Sequence, residues 1–483
     1  MRRFIDSFFV CFALCIALVA WEEGSRVFGE DSSSSATSSD SKETKKVEEL
    51  KKMIEDQGIY VETSQKGIVL SGYVDASYTY NFLRADSDVP STSAIIPTRE
   101  PPDSIPGGGF NLNAVKLALE KPLGDKNDWV AGFRVDLLFG QDASISEPDF
   151  LQSKGVPFGS GVDTSGLLVE QGYVQFRVPV GNGLDFKVGK FAAPIGYEVI
   201  ERPANMNFTY GNIFTNLLPT TLVGLQSTYK FSDQWSAMLG IADSGFNSSR
   251  GGINFNNMID NNDAYLLLSS VTWTAPGKNA NIIGTVFYGF NGANNPGFPA
   301  GGTFGRTLFT ENGQFLIGDL VASWTPKFAN DKLLLAAEFN EGFFDPSVGA
   351  NGSPFQIPSD WRGASIWAKY QFTKVVSLAM RGDWVESAGS SFPFPPGFAS
   401  FPGIGDVATS SFFAGHSDRT DIWSYTATLR FDLWQNMMLR LEYRLDWGRD
   451  LYGNAAQFPL GFPQTGASHG PAHLAAFDVA YSF

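Results

Sequence analysis

The groups in this chain that could do covalent chemistry are few and poorly placed for it. There are three histidines, His416, His469 and His473. His416 precedes Ser417 and Asp418, and His469 follows Ser468. Catalytic triads are assembled from residues distant in sequence, so these neighbours read as loop histidines rather than as a base beside its nucleophile. Asp260, Asn261, Asn262 and Asp263 offer oxygens for Ca²⁺ but lack the spacing of a known calcium loop, and read as a polar turn. Both cysteines, Cys11 and Cys15, lie inside the apolar run Phe8–Trp21. No phosphate-binding glycine loop stands out, and the net charge of −15 argues against nucleic acid as a partner. No catalytic residue, metal or cofactor is expected.

The charged residues that do carry a pattern recur at a spacing of two. In 436–446, Arg440, Glu442, Arg444 and Asp446 alternate with Met437, Leu439, Leu441, Tyr443 and Leu445. Side chains on a strand alternate faces, so this segment is a strand with one charged and one apolar face. Four charged positions on one face cannot be packed dry on both sides, so one face meets water. The same alternation sets Asp75, Ser77, Thr79 and Asn81 against Val74, Ala76, Tyr78 and Tyr80, and Arg134 and Asp136 against Phe133, Val135 and Leu137. The last seven residues, Phe477–Phe483, repeat it, with Phe477, Val479, Tyr481 and Phe483 on one face and Asp478, Ala480 and Ser482 on the other.

Sixteen such stretches follow Gly67: approximately 67–82, 110–121, 129–140, 168–180, 184–192, 221–231, 235–243, 264–274, 280–290, 314–326, 332–342, 362–372, 375–386, 421–433, 436–446 and 473–483. The gaps between them are long and short in strict alternation. A transmembrane β-barrel explains this, since turns on one side of the membrane are short and loops on the other are long. Tryptophans bunch beside the turns (Trp129, Trp235, Trp273, Trp324, Trp384, Trp423, Trp434), as interfacial girdles require. The predicted fold is all-β, a single sixteen-stranded antiparallel transmembrane barrel over 67–483. Ahead of it, Arg2, Arg3 and the apolar run have the layout of a secretory signal peptide spanning 1–29, cleaved after Gly29 or alternatively Ala20. Residues 30–66 read as a disordered linker with a short helical stub.

Sixteen strands enclose an aqueous lumen unless something fills it, and the linker is too short for a plug domain. Strand parity places ten basic residues on the inner wall: Lys116, Arg134, Arg177, Lys187, Lys230, Lys369, Arg381, Arg430, Arg440 and Arg444. It places eleven acidic ones there: Asp75, Glu120, Asp136, Glu170, Asp185, Asp319, Glu338, Asp383, Asp432, Glu442 and Asp446. Arg381, Arg430, Arg440 and Arg444 fall on three successive strands and form a basic wall, with Arg134 a further pore-lining candidate.

Three segments carry a family likeness: GIVLSGYVDASYTYNF (67–82), GYVQFRVPVGNGLDFKVGKF (172–191) and APIGYEVIERPANMN (193–207). With Gly189, Lys190, Phe191, Pro194, Gly196, Glu198, Asn205 and Asn207, they resemble the outer-membrane β-barrel porins of the OmpL-like family and, more distantly, the phosphate-selective porins. The resemblance implies passive diffusion of small hydrophilic solutes and ions across a Gram-negative outer membrane, with outer-membrane lipid around the barrel and a homotrimer as the assembly. It also implies that the third long loop, 193–220, folds inward, which would set Glu198, Glu201 and Arg202 against the basic wall as a constriction with a transverse field. The alternative for the arginines is pairing with carboxylates such as Asp383, Asp432 and Glu442. Phe477, Val479, Tyr481 and Phe483 are expected to be read by the barrel-assembly machinery as an insertion signal. Competing functions are a selective porin for sugar, anion or peptide, and an adhesion barrel using the Phe/Pro/Gly loop 387–405.

Overall fold

The structure is a computed structural model that describes residues 67–82, 107–124, 127–146, 168–243, 246–247, 252–253, 265–292, 313–345, 359–388, 420–448 and 471–483. The signal peptide, the linker, loop 387–405 beyond Ala388, the Asp260–Asp263 turn, His416 and His469 lie outside these residues.

Sixteen strands form the wall: β1 (Val69–Asn81), β2 (Gly107–Lys121), β3 (Val130–Phe139), β4 (Leu168–Val178), β5 (Leu184–Ala192), β6 (Thr221–Lys230), β7 (Trp235–Asp243) and β8 (Tyr265–Thr274), then β9 (Ala280–Gly292), β10 (Gly313–Trp324), β11 (Leu333–Asp345), β12 (Ser359–Gln371), β13 (Val376–Ala388), β14 (Thr420–Trp434), β15 (Met437–Gly448) and β16 (Ala472–Ser482). Each pairs antiparallel with its sequence neighbours, and β1 pairs with β16 to close the ring. Their bounds fall within about three residues of the expected ones. Two short helices lie off the wall, α1 (Gln141–Ser146) and α2 (Asn212–Leu217).

The alternation in the sequence becomes the two faces of the wall. On β1, Val74, Tyr78 and Tyr80 are exposed, while Asp75, Ser77, Thr79 and Asn81 are buried. On β15, Leu441, Tyr443 and Trp447 face out, and Arg440, Glu442, Arg444 and Asp446 are buried. An apolar exterior around a charged interior inverts the soluble pattern, and suits a barrel whose solvent is hydrocarbon. Aromatic contacts flank the apolar band, among them Trp384 with Trp423 at 5.9 Å and Tyr370 with Phe372 at 5.1 Å.

The seam is tied at its foot. Phe483 N–H donates to the Gly72 carbonyl and Gly72 N–H to the Phe483 carbonyl, both at 2.9 Å. The Phe483 ring lies over Gly72, where a Cβ would come within 2.8 Å of it. Parity also puts Asp478 inside, fully buried, a twelfth carboxylate on the inner wall beyond the eleven counted above.

Candidate functional site

The third long connection, 193–220, does not stand above the barrel. It crosses the interior and returns, with Ile195, Glu198, Ile200, Arg202, Asn205, Asn207, Phe208, Tyr210, Ile213 and Leu217 all buried. Its path starts from local rules. Pro194 and Pro203 deny the segment a strand ladder, and Arg202–Ala204 makes one 3₁₀ turn with Pro203 inside it. Asn205 closes a loop back on Val199, accepting from its N–H at 3.0 Å and donating to its carbonyl at 2.7 Å. Gly196 turns the chain at φ 86°, a conformation glycine adopts without strain.

An irregular backbone buried inside a barrel needs a partner for each of its polar groups. Here the loop supplies some and the charged wall many of the rest. Loop carbonyls go to guanidinium groups. Arg440 Nη1 donates to the carbonyls of Arg202 (2.9 Å) and Asn207 (3.1 Å). Arg381 donates to those of Thr209 (2.5 Å) and Tyr210 (3.2 Å), and Arg444 Nη1 to that of Tyr210 (2.6 Å). Loop N–H groups go to carboxylates. Gly196 donates to Asp319 (3.1 Å), Tyr197 to Glu338 (3.3 Å), Phe208 and Thr209 to Glu442 (2.6 and 2.9 Å), and Asn212 to Asp383 (2.5 Å). Charge-assisted bonds of this kind are about twice as strong as neutral ones.

Three ion pairs join loop side chains to the barrel. Glu198 meets Arg381 at 2.7 Å, and both are buried. Arg202 holds Asp142 of α1 through Nε at 2.9 and 3.0 Å, with its guanidinium over the rings of Phe208 and Tyr210. Glu201 meets Lys116 and is the one loop partner that keeps appreciable exposure, 27%. Lys116 also meets Asp136 and Glu170, each at 3.0 Å. The carboxylate triplet Asp136, Glu170 and Glu201 could hold a metal by its geometry, but the Lys116 ammonium sits among its oxygens as their cation. Burial pushes the Glu198 and Asp142 carboxyls above their ordinary range, against the pull of Arg381 and Arg202 respectively.

Apolar packing completes the insert. Ile213 and Leu217, one turn apart on α2, lie on the β12 backbone at Gly363, where a Cβ would meet them at 2.8 and 2.9 Å. They join Phe191, Leu222, Leu266, Phe287, Ile317 and Trp361 in a core inside the barrel.

The inner charges therefore form two sets, one buried against the loop and one partly exposed. In the buried set Arg381, Arg440 and Arg444 are 0 to 2% exposed, and their guanidinium groups close on the loop and on Asp383, Asp478 and Asp446. In the partly exposed set Arg134 pairs with Glu120 and Asp136, and Arg430 with Asp432, yet the two arginines keep 27% and 23% exposure. The expected field across an open gap thus becomes, for the buried arginines, a set of direct contacts. Four wall arginines have a carboxylate two residues on, at 134/136, 381/383, 430/432 and 444/446. That R-x-D spacing is visible in the sequence and would have located these pairs. Asp142 carries no such signal. His473 accepts or donates a 2.6 Å bond with the Tyr443 hydroxyl, and no acid–base constellation surrounds it among the described residues.

The family model described as Putative beta-barrel porin-2, OmpL-like, matches residues 67–483. Among solved structures, the chain is similar to the outer membrane channel DcaP of Acinetobacter baumannii (11% identity, TM-score 0.51, covering 88% of this chain and 100% of that one). It is similar also to OprB of Pseudomonas putida (11%, 0.51, 91% and 97%) and to an anion-selective porin from Comamonas acidovorans (10%, 0.50, 86% and 99%). At these identities the likeness is one of fold. No curated protein matches the chain.

Proposed function

Since the chain belongs to the OmpL-like beta-barrel porin family and is an outer-membrane channel, we propose that it passes small hydrophilic solutes and ions passively through a lumen narrowed by loop 193–220. The observation that carries this reading is the buried course of that loop, whose backbone is bonded to wall charges on β10, β11, β13 and β15. A loop held at that many points is a fixed constriction and not a swinging lid. Water-accessible charge remains in the partly exposed set, around Glu120, Arg134, Arg430 and Asp432, and at Glu201. Glu201 and Arg134 then border the passage, while Glu198, Arg202, Arg381, Arg440 and Arg444 hold its shape.

The outward face of β16, with Phe477, Val479, Tyr481 and Phe483, is assigned to recognition by the barrel-assembly machinery, and a homotrimer is the assembly expected from the family likeness. Neither role calls for catalysis. Planar-bilayer recording with liposome swelling tests the function. The reading expects a small ohmic conductance and uptake of monosaccharides with steep retardation of larger sugars. Folded barrel that carries no current would overturn it.

A further inference from the structure

We propose that Lys369, Ser377 and Arg430 form an anion-binding subsite in the lower lumen for the carboxylate or phosphate group of a small solute. The proposal rests on the channel reading and names a solute class for it. Lys369 is the exception among the ten cations assigned above to the inner wall. Each of the others has a carboxylate within ion-pair distance or, in the case of Lys187, lies over the Tyr173 ring. Lys369 has neither, and it is half-buried on the inner face of β12. Its electrostatic neighbours are Arg430 and Asp432.

The register brings the three groups together. Lys369 pairs with Ala379 across β12 and β13, and Ser377 pairs with Arg430 across β13 and β14. All three side chains therefore share the inner face at the same end of adjacent strands. The outer two strands are about 10 Å apart, a span that a lysine and an arginine close around one anion. Between the two cations on β13 stand only Ser377 and Ala379, and Ala379 is packed with Trp367 and Met206. The Ser377 hydroxyl is fully buried and has no hydrogen-bond partner. Buried hydroxyls rarely go without one, and an oxyanion would accept from it. Asp432 neutralises one of the two cations, so the cluster keeps a net positive charge. Arg440 lies opposite Arg430 in the ladder but is bonded to Asp478 and to loop carbonyls. Above the subsite the rings of Tyr197 and Trp367 meet at 4.7 Å and give the carbon skeleton of a solute an apolar surface.

The test is block of KCl current through single channels by inorganic phosphate and, separately, by succinate, with maltose as the neutral control. Wild type is expected to show saturable block by one or both anions and none by maltose. The anion that blocks identifies which group the subsite takes. Lys369→Gln should weaken the block at least about tenfold, the value of one charge-assisted hydrogen bond, and Lys369→Arg should retain it. Ser377→Ala should weaken it by a few-fold. Wild-type current unaffected by either anion at concentrations equal to the chloride would overturn the subsite and leave the channel standing, as would undiminished block in K369Q. Absence of current from folded barrel would sink the channel and the subsite together.

Discussion

Replacing Arg381 with methionine should release the inward loop while leaving the barrel closed. The side chains are similar in length, and methionine fills the space without a charge. The guanidinium makes four bonds to the loop, to Glu198, to the Thr209 and Tyr210 carbonyls and to the Thr209 hydroxyl. It also meets Asp383 at 3.0 Å. The substitution leaves Glu198 and Asp383 as buried carboxylates without their cation, a loss of about 3–5 kcal/mol. At a factor of ten per 1.4 kcal/mol, the docking equilibrium of the loop falls by roughly two to three and a half orders of magnitude. Heat-dependent mobility on a detergent gel verifies that the barrel is folded, and single-channel conductance should then rise and fluctuate. Proteolysis of the folded barrel should cut within 197–212, a segment resistant in the parent. Adding Glu198→Gln removes one orphaned carboxylate, so the double variant should be less damaged than the two effects summed, with a coupling of about 1–3 kcal/mol. A folded R381M barrel with parental conductance and a protected loop would refute the clamp, and strict additivity would refute the Glu198 pair.

Gly196→Ala puts a Cβ 2.3 Å from Leu218 Cδ1 at a φ of 86°, and should weaken loop docking by about 1–3 kcal/mol, read as a lower temperature of heat modification; an unshifted transition contradicts the tight turn. Burial raises the Glu198 carboxyl in the folded state, so the folded barrel holds that proton more tightly than the unfolded chain. The resulting stabilisation is full below the unfolded pKa of about 4.3 and is lost as pH rises through the folded value. Glu198→Gln lacks it, so the melting temperature of the variant minus that of the parent should increase from about pH 4 to about pH 8; a constant difference contradicts the shift. Deleting Phe483 removes both of its bonds to Gly72 and the ring over the seam, and should lower folded yield several-fold with unchanged conductance in what does fold; parental yield contradicts the role.

The wall was readable because a strand has a period of two and this wall has different solvents on its two sides. Arg440, Glu442, Arg444 and Asp446 at alternate positions of one segment leave no other arrangement, and β15 carries all four inside. Long and short gaps gave the strand count without knowledge of any contact. Parity weakens where the ladder is irregular. On β4 Glu170 and Gln171 are both buried, because the register with β3 slips between Asp136 and Leu137. The clamp was not readable, since its partners are peptide groups that every residue has. Arg440 reaches the carbonyl of Arg202 and Glu442 the N–H of Phe208 across more than two hundred residues, and no periodicity marks such pairs. Asp142 sits on a six-residue helix beyond β3, where strand parity says nothing. The arginines were found by charge and face, but their use came only from where the third loop runs.

On the proposed function, loop 193–220, fixed by wall charges, sets the width of the channel. Excising 197–212 and joining its ends with a short Gly-Ser link tests this most directly. The variant should fold by heat-modified mobility, conduct several-fold more current than the parent, and admit sugars that the parent excludes. Equal conductance and an equal exclusion limit in folded parent and variant would contradict the account.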